Sequence, residues 1–399
     1  MPRFASAAVI HKSFFLVSMR MESRSGLIHG ALELSATLSQ LTFRWRQIWS
    51  WSDLYRQSRS EPDPTVRRRL ELKLYTSISI VFVDILCGIF AGLILLYYPH
   101  TIFKPIQSAY LYLNKHVLQS VVSWLMDSPA GLQMNRNLVV FLGTISLTLV
   151  SYWDAVILFF ITSEHINMNA RVAIILAFFS STGISVLLSA LIDFSSIAFF
   201  HIFCVYAGLT RLWNLTGRII YTFTLLFRGR KYNILKVRVD GHEFDIEQLI
   251  LGTVLLSLVL FMLPTVMVCY LSFLFLWLGV LVVQLLLRAG VSVFSFFPVY
   301  LFARAGSIPA KTALVPSVGA NGIEFKKECL PLSRSAVVSE FLRAVVASIP
   351  VNEPLTYTLV SIVRGTALVF PKYAQHEQAK DSVDFGPNFA NLIRRISAR

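Results

Sequence analysis

The sequence predicts an all-α polytopic membrane protein, with four to six transmembrane helices and amphipathic interfacial helices between them. Three observations carry this. Hydrophobic residues make up 55% of the chain and charged residues only 15%, a balance too apolar for an ordinary soluble domain. Between positions 248 and 287 no charged residue occurs, and such a run at about 1.5 Å per residue makes roughly 60 Å of helix against a hydrocarbon core of about 30 Å. Finally, the basic residues behind the net charge of +14 gather beside apolar stretches, as topology selection and anionic head groups require. That distribution speaks against nucleic acid as a partner.

In chain order, residues 1–20 hold Arg3, Lys12 and Arg20 with a short apolar patch around Phe14, too short for a secretory leader, and stay unassigned. Residues 1–73 as a whole are expected to form a cytosolic N-terminal segment, basic through Arg56, Arg59, Arg67, Arg68 and Arg69 and interrupted by Pro62 and Pro64. Residues 74–98 supply the first span, closed by Tyr97 and Tyr98 at the level where amphipathic aromatics sit. Ile106, Tyr110, Leu113, Val117, Val121 and Trp124 recur at spacings of three and four, which predicts an amphipathic helix lying on the membrane or against neighbouring spans. Residues 137–163 are apolar except for Asp154, and residues 172–210 except for Asp193.

The basic loops at 55–73 and 211–238 should both be cytosolic, so an even number of crossings separates them. Two schemes satisfy this. In one, six spans fall near 74–98, 138–162, 172–191, 194–210, 248–264 and 266–287; in the other, with four spans, 138–162 lies in the interface and 172–210 crosses once. Pro264 interrupts the long uncharged run, because proline lacks an N–H and clashes within a helix, which reads as two membrane segments or one sharply kinked pair. The membrane domain is then 74–303, including a cytosolic loop at 211–247, and 304–399 is a cytosolic tail with one amphipathic helix around Phe341, Leu342, Val345, Val346 and Ile349.

A catalytic set is missing from the sequence. There is no H-E-x-x-H, G-x-S-x-G, Walker loop or G-x-G-x-x-G, and Cys87, Cys204, Cys269 and Cys329 lack metal-site or disulfide spacing. No cofactor or metal is therefore expected. Asp240, Glu243, Asp245 and Glu247 form the one acidic constellation, read either as a holder of a metal-bound sugar nucleotide or, more simply, as the charged N-terminus of the helix that follows. Asp84, Asp154 and Asp193 lie in apolar stretches and are read as polar helix–helix contacts, with His201 as a second polar group; a transport pathway would need further partners. The sequon at Asn214 is expected to carry no glycan.

One segment is more specific. Leu226, Phe227, Arg228, Gly229, Lys231, Asn233, Leu235, Arg238, Val239 and Asp240, then Asp245, Gln248, Leu249, Gly252 and Thr253, then Phe261, Leu263, Pro264 and Thr265, resemble the phosphatidylinositol glycan class Q family. A looser likeness runs through Leu191, Ile192, Asp193, Phe200, His201, Ile202, Cys204 and Tyr206, and reaches Phe297, Pro298 and Tyr300. The resemblance implies a noncatalytic membrane subunit of the endoplasmic reticulum complex that transfers GlcNAc from UDP-GlcNAc to phosphatidylinositol. It also implies the partners: the class A catalytic subunit, the class C, H, P and Y subunits, a dolichol-phosphate-mannose synthase regulatory subunit, and membrane phospholipid. Phe227, Arg228, Gly229, Arg230, Lys231, Asn233, Arg238, Asp240, Asp245 and Gln248 are expected to contact partner or lipid, and Asp84, Asp193, His201, Gly252 and Pro264 to pack or kink membrane helices.

Overall fold

A computed structural model describes residues 35–127, 135–161, 167–233, 238–306, 309–319, 322–331 and 333–348, with Ile362, Val363, Gly365 and Leu368 beyond them. The unassigned stretch 1–20 lies outside the described residues.

Helix α1 (Ala36–Ser60) opens on Ser35, whose hydroxyl accepts from the Leu38 N–H, and turns at residues 61–63 into α2 (Pro64–Tyr97), which starts on proline where a missing N–H costs nothing. The described part of the N-terminal segment therefore packs on the membrane domain as a helix. Next comes a near-continuous rod of α3 (Pro99–Leu111), a π-helical stretch (Tyr112–Leu118) and α4 (Gln119–Met126). Tyr110, Asn114, Leu118, Val122 and Leu125 are buried against neighbouring helices, while Ile106, Leu113 and Trp124 are exposed. Repeated steps of four would drift around an α-helix of 3.6 residues per turn, and the wider i→i+5 turns hold them to one side. Polar Asn114 is on that side because a carboxylate waits for it, which hydrophobicity alone could not signal.

Helices α5 (Arg136–Ile161), α6 (Asn167–Ser181), α7 (Ile184–Ala198) and α8 (Phe200–Phe227) follow, with breaks at Gly183 and Phe199 in place of the expected one between 191 and 194. At the first break Gly183 has φ +144, a conformation that only glycine adopts readily, and a Cβ there would run into the Asp84 carboxylate. Gly88 of α2 is equally crowded by the Ser180–Ile184 backbone, so α2 and α6 cross at van der Waals distance and Ser180 donates to the Gly88 carbonyl. At Phe199 the axes of α7 and α8 meet at 57°.

Two antiparallel hairpins depart from the all-α expectation. Strands β1 (Arg230–Asn233) and β2 (Arg238–Gly241) pair with Lys231 opposite Asp240, and after α9 (Ile246–Phe296) and α10 (Val299–Ala303), β3 (Pro309–Gly319) pairs with β4 (Gly322–Pro331). The tail helix expected around Phe341 is α11 (Arg334–Ser348), burying Val337, Phe341 and Val345.

Helix α9 corrects the largest sequence expectation. It runs 51 residues through Pro264 without ending, so residues 248–264 and 266–287 are one helix and provide no return. Proline is tolerated in apolar helices where neighbouring groups re-satisfy the freed backbone. At this level α5 is tied on, since the Asn135 N–H donates to Thr265 Oγ1 at 2.9 Å. Among the described residues three helices, α2, α5 and α9, are long and apolar enough to cross a membrane, and the bent pair α7–α8 makes up to four. Both crossing schemes divide the run at Pro264, where the described residues form one helix.

The main core lies among α4, α5, α8 and α9, with Val122, Val139, Tyr206, Tyr270, Phe273 and Trp277 at its centre. Aromatic rings continue it along α8 and α9, Trp213 stacking on Tyr270 at 5.8 Å and Tyr270 on Tyr206 at 6.2 Å. The far tail closes over this row: Tyr270 Oη donates to the Ile362 carbonyl, Trp213 Nε1 to Val363 and Trp277 Nε1 to Leu368.

Candidate functional site

Of the residues that carry the sequence resemblance, those described between Leu226 and Thr253 lie around the end of α8 and the start of α9. Helix α8 stops because Arg228 occupies its C-cap and Gly229, at φ +63, takes the left-handed position after it, donating to the Leu226 carbonyl at 3.0 Å. That turn feeds β1. The Gly229 carbonyl accepts the His242 N–H at 2.9 Å, which fastens the far strand of the hairpin to the helix end.

Gly252 sits one helical turn and a half into α9, where a Cβ would meet the Leu226 side chain, so the starts and ends of the two helices approach closely there. The spacing between Phe227 and Gly252 is thus a packing requirement. Phe227, Arg228, Gly229, Arg230, Lys231, Arg238, Asp245 and Gln248 are all exposed, and Asn233 and Asp240 half-buried. Beyond them the outward face of α9 shows Ile246, Ile250, Leu251, Val254, Leu258 and Phe261.

The acidic patch does not converge. Asp240 has both oxygens engaged within the hairpin, Oδ1 by Arg238 Nε at 2.7 Å and Oδ2 by Asn233 Nδ2 at 3.0 Å. Asp245 holds the N-cap position of α9 through its backbone carbonyl, which accepts the Leu249 N–H, and Glu247 lies in the first turn, where the helix dipole favours a negative charge. Among the described residues no three His, Cys, Asp or Glu side chains gather as metal ligands.

Each aspartate in the apolar stretches has an assigned set of donors. Asp84 pairs with Arg44 at 3.0 Å and accepts from the Ser185 N–H and hydroxyl, at 3.0 and 2.8 Å. Asp193 accepts from the Ala36 and Thr37 backbone N–H groups and from the Ser35 and Thr37 hydroxyls, so one carboxylate of α7 caps the N-terminus of α1. Asp154 accepts from Tyr110 Oη at 3.0 Å and Asn114 Nδ2 at 2.8 Å. Burial, and then the neighbouring carboxylate, push the Tyr110 phenol above its ordinary range, so it remains a donor. His201 is fully buried on α8 within the field of Asp154. Arg44, the partner of Asp84, was missed by sequence reasoning because it lies in a polar helix whose burial no periodicity reveals. Asn214 is helical and its amide reaches the Gly365 carbonyl at 3.5 Å.

Comparison with known proteins adds the following. The family model described as N-acetylglucosaminyl transferase component (Gpi1) matches residues 38–309, so the match takes in α1 as well as the motif. The N-acetylglucosaminyl-phosphatidylinositol biosynthetic protein gpi1 of Schizosaccharomyces pombe is 27% identical over 280 residues, which is 69% of this chain and 42% of that protein. The phosphatidylinositol N-acetylglucosaminyltransferase subunit Q of Homo sapiens is 38% identical over 184 residues, 46% of this chain and 23% of its own length. Subunit GPI1 of the same transferase in Saccharomyces cerevisiae is 26% identical over 228 residues, 57% and 37% of the two chains. The chain thus spans less than half the length of the curated relatives it matches. No solved structure matches it.

Proposed function

Because the chain belongs to the N-acetylglucosaminyl transferase component (Gpi1) family, we propose that it is a noncatalytic membrane subunit of the complex that transfers GlcNAc from UDP-GlcNAc to phosphatidylinositol, the first step of GPI-anchor synthesis. It acts as a scaffold in the endoplasmic reticulum membrane. The observation that carries this reading is the exposure of the family motif: its basic and aromatic residues stand on an outward turn and hairpin, not around a cavity. A surface of that kind docks a neighbour. The neighbours are the class A catalytic subunit, the class C, H, P and Y subunits and the dolichol-phosphate-mannose synthase regulatory subunit, with phospholipid head groups beside Arg228, Arg230 and Lys231.

The competing reading makes this chain itself a metal-dependent glycosyltransferase using Asp240, Glu243 and Asp245. Tagged chain purified from native membranes separates the two. With Asp240→Asn, Glu243→Gln and Asp245→Asn the assembled complex should keep appreciable transferase activity, because the charges that would hold a metal are gone while shape is retained. Reversing Arg228, Arg230 and Lys231 to glutamate should instead lower recovery of the other subunits. An intact complex that is inactive only with the amide variant would move the active site to this chain.

A further inference from the structure

Helix α1 is polar on the inside and aromatic on the outside. Towards the protein it turns Thr37, Ser39, Gln40, Arg44 and Ser58, all buried. Gln40 Nε2 donates to Ser295 Oγ at 2.9 Å, Arg44 reaches Asp84 and Ser185, and Gln47 Nε2 and Trp51 Nε1 donate to Ser77 Oγ at 3.2 and 2.8 Å. On the outward side of the same helix, spread over roughly 120° at 3.6 residues per turn, stand Leu38, Trp45, Ile48, Trp49 and Tyr55, with Trp45 59% and Tyr55 52% exposed. For a helix on a water-soluble surface this arrangement is inverted, since burial of apolar area is what normally holds such a helix down.

We propose that the outward stripe of α1 is a membrane-contact surface, seated in the interfacial zone of the lipid bilayer. Three features of the stripe fit that occupant. Tryptophan and tyrosine are the residues of the head-group level, where an apolar ring and a polar tip are both accommodated. Arg46, Arg56 and Arg59 flank the stripe, the Arg59 guanidinium lying 5.5 Å from the Tyr55 ring, and long basic side chains beside aromatic rings suit anionic head groups. The neighbouring helix presents apolar groups as well: on α2, beside Ser77, which anchors Gln47 and Trp51, Tyr75, Ile78 and Phe82 are exposed. The polar bonds of the inner face then fix how α1 meets the bilayer, and the hydropathy of the segment hides the contact because its polar residues face protein.

The test uses the full-length chain in lipid nanodiscs, comparing wild type with Trp45→Phe/Trp49→Phe, a conservative pair that leaves the inner face untouched. Tryptophan emission is quenched with phosphatidylcholine brominated near the head-group end of its acyl chains or near the methyl end, and separately with aqueous acrylamide. Two of the seven tryptophans are removed. The emission lost to head-group-proximal bromine should fall by more than two-sevenths, with a smaller change for bromine near the methyl end. If those two tryptophans are instead reached by acrylamide and not by bromine, the stripe faces water; if neither quencher reaches them, a second protein surface covers it. Either result overturns the proposal.

Discussion

The ion pair between Arg44 and Asp84 should be the most damaging single contact to break in the α1–α2–α7 region. Both side chains are buried, 7% and 0% exposed, and Asp84 has two further bonds from Ser185. Arg44→Met leaves the carboxylate with the serine donors alone, and removal of one partner of a buried pair costs roughly 3–5 kcal/mol. The opposite change, Asp84→Asn, keeps the shape and strands the guanidinium, which retains only hydrogen bonds to Gln47, Ser185 and Ser295. Replacing both with apolar residues removes the uncompensated charge, so Arg44→Met/Asp84→Leu should lose less than the sum of the single changes. Unfolding of the purified chain by SDS titration in mixed micelles measures all four proteins. A single-variant cost below about 1 kcal/mol, the size expected of an exposed pair, or a double variant as damaged as the sum, would refute the reasoning.

Four more outcomes follow from the geometry. Gly183→Ala should destabilise by more than the roughly 1–3 kcal/mol of the backbone conformation alone, since its Cβ must also displace Asp84; thermal unfolding in detergent reads this. Gly229→Ala should cost only about 1–2 kcal/mol, because the left-handed φ is unfavourable but the nearest atom to the new Cβ is the His242 carbonyl oxygen at 3.6 Å. Asp193→Asn presents an amide NH2 to donors now facing a carboxylate, and loss of this cap, about 1–3 kcal/mol, should appear as faster hydrogen exchange in the first turns of α1. Because α9 runs unbroken through Pro264, a single crossing puts the 211–247 loop and the 304–399 tail, both expected from their charge to be cytosolic, on opposite sides, and single cysteines at Arg230 and Arg304 should be labelled from opposite membrane faces; labelling of both from one face would show that α9 does not cross once.

Composition and charge alone determined that the chain belongs in a membrane and is built of helices, because bilayer thickness and backbone hydrogen bonding leave few other ways to arrange long apolar runs. The motif from Leu226 to Thr265 was legible in the sequence as a family resemblance, while the structure alone showed that Gly229 ends a helix and that Gly252 lets another helix end approach. The path of the long uncharged run was not: local preference says that Pro264 breaks a helix, while in the folded chain the helix continues through it, as apolar helices tolerate. The burial of polar Asn114 in the α3–α4 rod was not legible either, because it serves Asp154, forty residues away. The role of α1 depended on tertiary structure altogether. Its mixed composition is that of a polar surface helix, and only the carboxylates of Asp84 and Asp193, supplied by distant helices, turn its polar side inward and leave its aromatic side facing out.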